Sequence, residues 1–411
     1  MTAATLFYII VSIFVIEHLL DEFIDYKNAK NFSAPIPKEL EGVYNEESYV
    51  KSQNYNAETY RFGVFSSWFS FVLTLIFLLC DGFAYIDEFI RQYSDNEIIL
   101  SLLFFGIIMI VTNLIGLPFS YYGTFVIEEK YDFNKSTRKL FFMDFIKGQF
   151  VSILLGGIIL VAIVWFYQLT KSDFWLYAWG LISGFTILMT FLYTKLFVPL
   201  FNKQTPLEEG ALRDAIENYA KSVDFQLKNI YVIDGSKRST KANAYFSGFG
   251  KTKQITLYDT LINDLTTDEI VAVLAHEVGH YKRNHIIYNI AISTLQTGFT
   301  LFILSLFIEN PIISEALGVK THSFYIGIVA FGLLYSPIST ITDLFQNALS
   351  RKFEYQADDY AKETTHQPNH LISALKKLSK DSLSNLTPHS WYVFFNYSHP
   401  TLLQRVRNLK K

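Results

Sequence analysis

The pentapeptide His276-Glu277-Val278-Gly279-His280 holds the side chains of this sequence best suited to chemistry. On a helix, residues four apart share a face, so His276 and His280 can aim their imidazoles at one Zn²⁺, about 2.0–2.1 Å from each nitrogen. Glu277, next to the first of them, is placed to act as general base toward an attacking water. The flanking residues predict the helix. Thr266 and Glu269 form a capping box, and Asp268 and Glu269 suit the positive end of the helix dipole. Ile270, Val271, Val273 and Leu274 supply an apolar face. Taken alone, the motif also reads as two surface histidines on a helix.

A catalytic zinc takes three protein ligands and leaves a fourth position open. The longer HExxHxxGxxH pattern is excluded, because Arg283 and Ile286 stand where it needs glycine and histidine. The alternative is a glutamate on a later helix. Apolar runs at 286–308 and 323–345 are joined by a short link and should emerge side by side, and Glu354 lies just beyond the second. Asp358, one turn on, is placed to orient a ligand histidine from behind. The spacing of Glu354 and Asp358 fits a solvated juxtamembrane face equally well. His285 is a rival ligand by residue type, but it faces away from the His276/His280 stripe, so it is set aside.

The elements that position these residues are mostly apolar. Half of the 411 residues are hydrophobic, with 38 Phe and 26 Tyr, and only 18% are charged. This is the profile of a membrane protein. The net charge of −3 says nothing by itself about nucleic acid; no nucleic-acid partner is expected. The single Cys80 excludes a disulfide framework and a cysteine metal site. Seven apolar stretches approach or exceed spanning length, at roughly 3–20, 64–86, 98–118, 149–168, 174–196, 286–308 and 323–345. The first has no basic n-region or A-x-A site and reads as a retained span. Between the spans, the first, third and fifth loops and the C-terminal tail carry 5, 5, 11 and 10 Lys+Arg, against one each in the second, fourth and sixth loops. This positive-inside alternation puts the N-terminus outside and the large loops in the cytosol.

Four parts follow: residues 1–200 with five spans, 201–285 with the HExxH helix, 286–350 with two spans, and 351–411 with the third-ligand candidate. Within the second part, Leu207 to Val223 reads as an amphipathic helix, and Lys228 to Ile233, Asn243 to Phe249 and Gln254 to Tyr258 as strands. The last two flank a turn at Gly248-Phe249-Gly250-Lys251. An exposed edge strand beside the HExxH helix can bind an extended peptide through its backbone. Pro118 to Thr137 is an aromatic segment suited to the membrane interface. The HExxH helix itself reads as running through His285 straight into the sixth span, and Pro337 predicts a kink in the seventh.

With HEVGH and Arg351-Lys352-Phe353-Glu354-Tyr355-Gln356-Ala357-Asp358-Asp359-Tyr360-Ala361 in place, the chain resembles the integral-membrane type 1 CAAX prenyl protease family of zinc peptidases. Three further segments carry the likeness: Ser236 to Phe246, Phe125-Val126-Ile127-Glu128-Glu129 with Asp132-Phe133-Asn134, and Ser398-His399-Pro400 with Arg405. The resemblance implies a mainly α membrane protein of seven transmembrane helices around a water-filled chamber, closed by a cytosolic zincin-like α+β peptidase domain. It implies one Zn²⁺ held by His276, His280 and Glu354, with Glu277 as base. It also implies that Asn243, His399 and Arg405 lie near the substrate or the transition state; His399, a hydrogen-bond donor, is the candidate for stabilising the oxyanion. The implied partners are the bilayer and a peptide or protein substrate, prenylated at its C-terminus. The setting is the plasma (inner) membrane of a bacterium or the endoplasmic reticulum of a eukaryote, with the site on the cytosolic side. Lys241 and Ala242 stand where many members have His and Ser, and Asp132 where Gly is usual. A broader protease for membrane-protein quality control, a non-cutting binder of membrane proteins and a transporter using the chamber are the competing readings.

Overall fold

The computed structural model describes residues 1–247 and 254–411, so the turn expected at Gly248 to Lys251 lies outside the described residues. Long helices dominate. The first four are α1 (Ala3–Ala29), α2 (Glu46–Leu79), the short α3 (Gly82–Ile90) and α4 (Glu97–Tyr122). Then come α5 (Arg138–Thr170), α6 (Phe174–Leu192) and α7 (Val198–Phe201). Thr2, Asn45, Asn96 and Thr137 cap α1, α2, α4 and α5, each side chain accepting a hydrogen bond from a first-turn backbone N–H. Among the described residues, six helical stretches are long and apolar enough to cross a membrane. One of them, Arg138–Phe201, is 64 residues long and is divided by a turn in which Lys171 takes φ 49°. Single π-helical turns, Gly123–Glu128 and Tyr193–Phe197, follow α4 and α6.

Two boundaries differ from the sequence reading. The second span does not run to residue 86: α2 ends at Leu79, and Asp81, at φ 54°, redirects the chain into α3. The first loop is largely helical, because α1 runs on to Ala29 and α2 starts at Glu46. Both helices therefore continue well past the apolar stretch, and α2 carries Tyr55 and Glu58 into the polar part of the molecule.

The polar part holds α8 (Ala211–Ser222), α9 (Asp259–Asp264), α10 (Thr267–Lys282) and a four-stranded sheet. The strands are β1 (Gln204–Pro206), β2 (Asn229–Ile233), β3 (Ala244–Ser247) and β4 (Gln254–Tyr258), in the order β1-β2-β4-β3. β2 and β4 pair in parallel, with Ile230 opposite Ile255; β1 and β3 add antiparallel, leaving β3 at an edge. The three-residue β1 ends in Pro206. After α10 the chain re-enters the apolar region as α11 (His285–Phe307), turns through α12 (Pro311–Ala316) and returns as the 42-residue α13 (Phe324–Thr365), which passes Pro337 without a break in the helix. α14 (Pro368–Asp381), α15 (Ser390–Asn396) and α16 (Leu402–Leu409) complete the chain.

One apolar core knits the polar part together. Leu40, Ile216, Ile230, Leu257, Ile270, Leu274, Val278, Leu371 and Val406 are all buried in it, so the sheet, α8, α10, α14 and α16 share a single interior. The aromatic segment of the third loop is clasped onto the connecting segment 238–240 that leads to β3. Lys135 N–H donates to Arg238 O (3.0 Å), Thr240 N–H to Phe133 O (3.1 Å), and Asn134 bridges Ser239. Asp132 sits at φ 68° in that turn, a conformation that glycine adopts freely and aspartate tolerates. Its carboxylate is tied to Lys51 at 2.9 Å. Lys241 reaches the same clasp, pairing with Glu128 at 3.1 Å and lying over the Phe133 ring.

Candidate metal and active site

The site is built where α10 meets α13. The capping box forms as the residues predict: Thr266 Oγ1 accepts from Glu269 N–H, and Glu269 accepts from Thr266 N–H. The same Glu269 carboxylate accepts from Ser373 (2.6 Å) and pairs with Lys377 (2.7 Å), so the start of α10 is also tied to α14. Burial works against its charge, but Lys377, Ser373 and the Thr266 N–H outweigh it and hold the carboxyl at about 2. About three turns on, Gly279 lets α10 approach α13 closely. A Cβ there would lie 3.0 Å from Ala357 Cα and 3.1 Å from Tyr360 Cβ, so any side chain would press on the α13 backbone and require it to give by a few tenths of an ångström.

That approach brings His276, His280 and Glu354 together. His280 Nε2 lies 3.1 Å from His276 Nε2 and 3.1 Å from Glu354 Oε1, and His276 Nε2 lies 3.4 Å from Glu354 Oε2. The three ligand atoms fall within 4.8 Å of one another, so the group could hold a metal ion. His276 and Glu354 are buried at 7% and 4% exposure, and Glu354 Oε2 is buried with no hydrogen-bond partner. A buried, unsatisfied carboxylate oxygen is costly, and a cation between the three groups would satisfy it.

Behind this triangle stands a second layer. His276 Nδ1–H donates to Asp358 Oδ1 at 2.8 Å, and Asp358 is fully buried. Arg405, on α16, grips that carboxylate with two donors, Nε at 2.9 Å and Nη2 at 2.6 Å. Its Nη1 lies 3.7 Å from Glu354. Burial and the Arg405 charge both disfavour a charged His276, but Asp358 and Glu354 outweigh them and raise it to about 9. The cluster is thus electrostatically fitted to a positive charge. Arg405 is occupied by carboxylates and points its fork at Asp358.

His399, from the turn before α16, is 62% exposed, with Nε2 3.4 Å from Glu354 Oε1 and Nδ1 hydrogen-bonded to Ser398 Oγ. Glu277 is half-buried and takes no hydrogen bond or ion pair among the described residues; Arg405 is its electrostatic neighbour. Asn243 is exposed at the start of the edge strand β3. Its Oδ1 accepts from Ala244 N–H and its backbone oxygen from Tyr258 N–H, and it is not in hydrogen-bond contact with the metal ligands.

His285 corrects the sequence reading. The HExxH helix does not run straight into the next one: α10 ends at Lys282, and Asn284 adopts φ 59° before α11 begins. This break swings His285 back, so that its Nδ1 lies 3.0 Å from His280 Nδ1 and its Nε2 lies 2.9 Å from Gln356 Oε1. An unbroken helix would place residue 285 about 140° round from residue 280. The signal for the break was Asn284, since asparagine is a common left-handed residue at helix ends.

Comparison with known proteins agrees with this architecture. Residues 25–203 match the model for the CAAX prenyl protease N-terminal region with five membrane helices, and residues 206–411 match peptidase family M48. A rice relative, Oryza sativa subsp. japonica CAAX prenyl protease 1 homolog, is 35% identical, spanning 96% of this chain and 95% of the relative. CAAX prenyl protease 1 of Saccharomyces cerevisiae is also 35% identical, over 95% of this chain and 92% of its own. The crystal structure of S. mikatae Ste24p superposes with a TM-score of 0.94 at 33% identity, covering 99% of both chains. The chain belongs to the M48 peptidases of the CAAX prenyl protease 1 type and is a multi-pass membrane metalloendopeptidase.

Proposed function

We propose that the chain is a zinc protease that cuts near the C-terminus of prenylated CAAX-type substrates at the cytosolic face of its membrane. The observation that carries the reading is the triangle of His276, His280 and Glu354. The two Nε2 atoms lie 3.1 Å apart, near the separation of about 3.3 Å between ligands of a tetrahedral Zn²⁺ with bonds of 2.0–2.1 Å, and Glu354 turns one oxygen toward each, Oε1 at 3.1 Å from His280 and Oε2 at 3.4 Å from His276. Two neutral imidazoles and one carboxylate, with one position left for substrate, form the ligand set of a catalytic zinc.

Zinc, when bound, would polarise the scissile carbonyl and make an adjacent water more acidic. Glu277, with unshared oxygens beside the triangle, takes the proton from the attacking water and passes it to the departing amine. His399 Nε2 donates a hydrogen bond to the oxygen that gains charge. Asp358, held by the Arg405 fork, keeps the His276 Nδ1 proton in place so that Nε2 faces the metal. The free edge of β3, beginning beside Asn243, adds the substrate backbone as a further strand. Arg405 is therefore read as a positioning residue for the ligands, with the substrate handled by Asn243 and His399.

The bilayer part is read as seven spans, because a 64-residue stretch is about 96 Å long, some three times the hydrocarbon core of about 30 Å. The turn at Lys171 splits it into α5 and α6. No more than 17% of the apolar window is buried in any of these stretches except α13, at 33%, which fits a loosely packed ring around a chamber. The Lys/Arg alternation places residues 201–285 and 351–411 in the cytosol, at the endoplasmic reticulum in a eukaryote and the plasma membrane in a bacterium. The test is digestion of matched prenylated and non-prenylated peptides, with mass spectrometry of the products. Preferential cleavage of the prenylated peptide near its C-terminus is expected. Equal cleavage of both would favour a broader quality-control protease, and cleavage of neither would favour a binder.

A further inference from the structure

Two residues outside the metal triangle and the Asp358/Arg405 layer form a chain that ends on the second histidine. His280 Nδ1, His285 Nδ1, His285 Nε2 and Gln356 Oε1 follow one another at 3.0 and 2.9 Å. His285 is 2% exposed, and its ring is stacked flat on Phe353, with centroids 4.2 Å apart and planes 10° from parallel. The ring is thus held by a turn (Asn284), a stacking partner and a hydrogen bond at each nitrogen.

The chain is directional. A neutral imidazole has one N–H and one lone pair. When Gln356 Oε1 accepts from His285 Nε2–H, His285 Nδ1 carries a lone pair and accepts from His280 Nδ1–H. His280 Nε2 is then bare and faces His276 and Glu354. In the opposite sense, with the Gln356 amide donating, His280 would hold its proton on Nε2 and have no lone pair for a metal. We infer that His285 and Gln356 are positioning residues that fix the tautomer and ring orientation of His280, as Asp358 does for His276. The inference rests on His280 being a metal ligand. It makes the two ligand histidines unequal: one is backed by a buried carboxylate gripped by arginine, the other by a neutral imidazole and an amide.

The test is zinc affinity, measured by chelator competition on the purified full-length protein. His285→Phe keeps the stack on Phe353 and removes both nitrogens; Gln356→Leu removes the acceptor. Each is expected to weaken zinc binding by about 10–100-fold, the usual cost of losing such a partner. Gln356→Glu, which can only accept, is expected to bind zinc at least as tightly as wild type. Adding Gln356→Glu to His285→Phe is expected to restore nothing, which separates action through His285 from the simple attraction of an added charge. Wild-type affinity in both His285→Phe and Gln356→Leu would overturn the inference. So would equal weakening by Gln356→Glu and Gln356→Leu, or recovery in the double variant. If His285→Phe fails to fold, the Gln356 pair decides the matter alone. His280→Ala serves as the separate control: retained zinc there would remove the ligand reading itself, whereas lost zinc there with unaffected relay variants would remove only the relay.

Discussion

At the scale of single residues, the roles divide by which atoms remain free. His276 and His280 spend Nδ1 on Asp358 and His285 and turn Nε2 toward Glu354, where the group could hold a metal ion. Glu354 keeps a buried oxygen with no hydrogen-bond partner. Glu277 has no partner among the described residues and no place in the triangle. It should therefore matter for proton transfer and not for metal binding: Glu277→Gln is expected to retain full zinc while single-turnover cleavage slows at least about a hundredfold, the usual worth of a general base. Metal analysis and cleavage on one preparation check this, and normal cleavage with normal zinc would remove Glu277 from the mechanism. The spacing of HEVGH was readable because helical period alone puts two imidazoles on one face. Glu354 and Asp358 were only candidates, because their spacing fits a solvated helix face equally well; their burial beside α10 comes from the packing of α10 on α13. His285 stays outside the group that could hold a metal, as the sequence reading had it, but its facing was misread because periodicity assumes a continuous helix and the left-handed Asn284 breaks it.

Among elements, α10 depends on how its first turn is anchored. Glu269 closes the capping box and bonds across to Ser373 and Lys377. Its carboxyl, held at about 2, lies below its ordinary value of 4.5. A depressed folded value contributes stability that is complete above about pH 4.5 and is lost as pH falls toward 2. Glu269→Gln is expected to lower stability at neutral pH by about 1–2 kcal/mol. The gap between variant and wild type should shrink steadily from pH 5 to pH 3. Thermal midpoints across that range measure it, and a gap independent of pH would contradict the role. The capping box was legible because Thr-x-x-Glu is a local signal; the link to α14 was not, because Lys377 lies over a hundred positions away. Asp132 shows a similar limit. Its left-handed backbone and its tie to Lys51 depend on the clasp between this loop and the segment before β3, a contact between distant parts of the chain that local pattern does not carry.

For the whole molecule, composition and charge alternation announced a multi-pass membrane protein, while the ends of the helices escaped the sequence. Hydropathy marks the apolar stretch but not the polar turns that extend α1, α2 and α13 beyond it, and these extensions carry Tyr55, Glu58 and Glu354 into the peptidase part. Topology is open to a direct check. In a Cys80→Ser background, a cysteine placed near Asn310 is expected to react with an impermeant reagent from the non-cytosolic side, and one near Lys228 is not. Reaction at Lys228 from that side would invert the proposed orientation. The central claim joins that orientation to the chemistry: a single metal held by His276, His280 and Glu354 makes the membrane-embedded chain a protease. The measurement that tests it most directly is cleavage of a prenylated CAAX peptide by the purified full-length protein before chelation, after chelation and after titration with Zn²⁺. Activity is expected to fall to background on metal removal and to return in full at one zinc per chain, with no return in Glu354→Ala. Undiminished cleavage by metal-free protein would contradict the account.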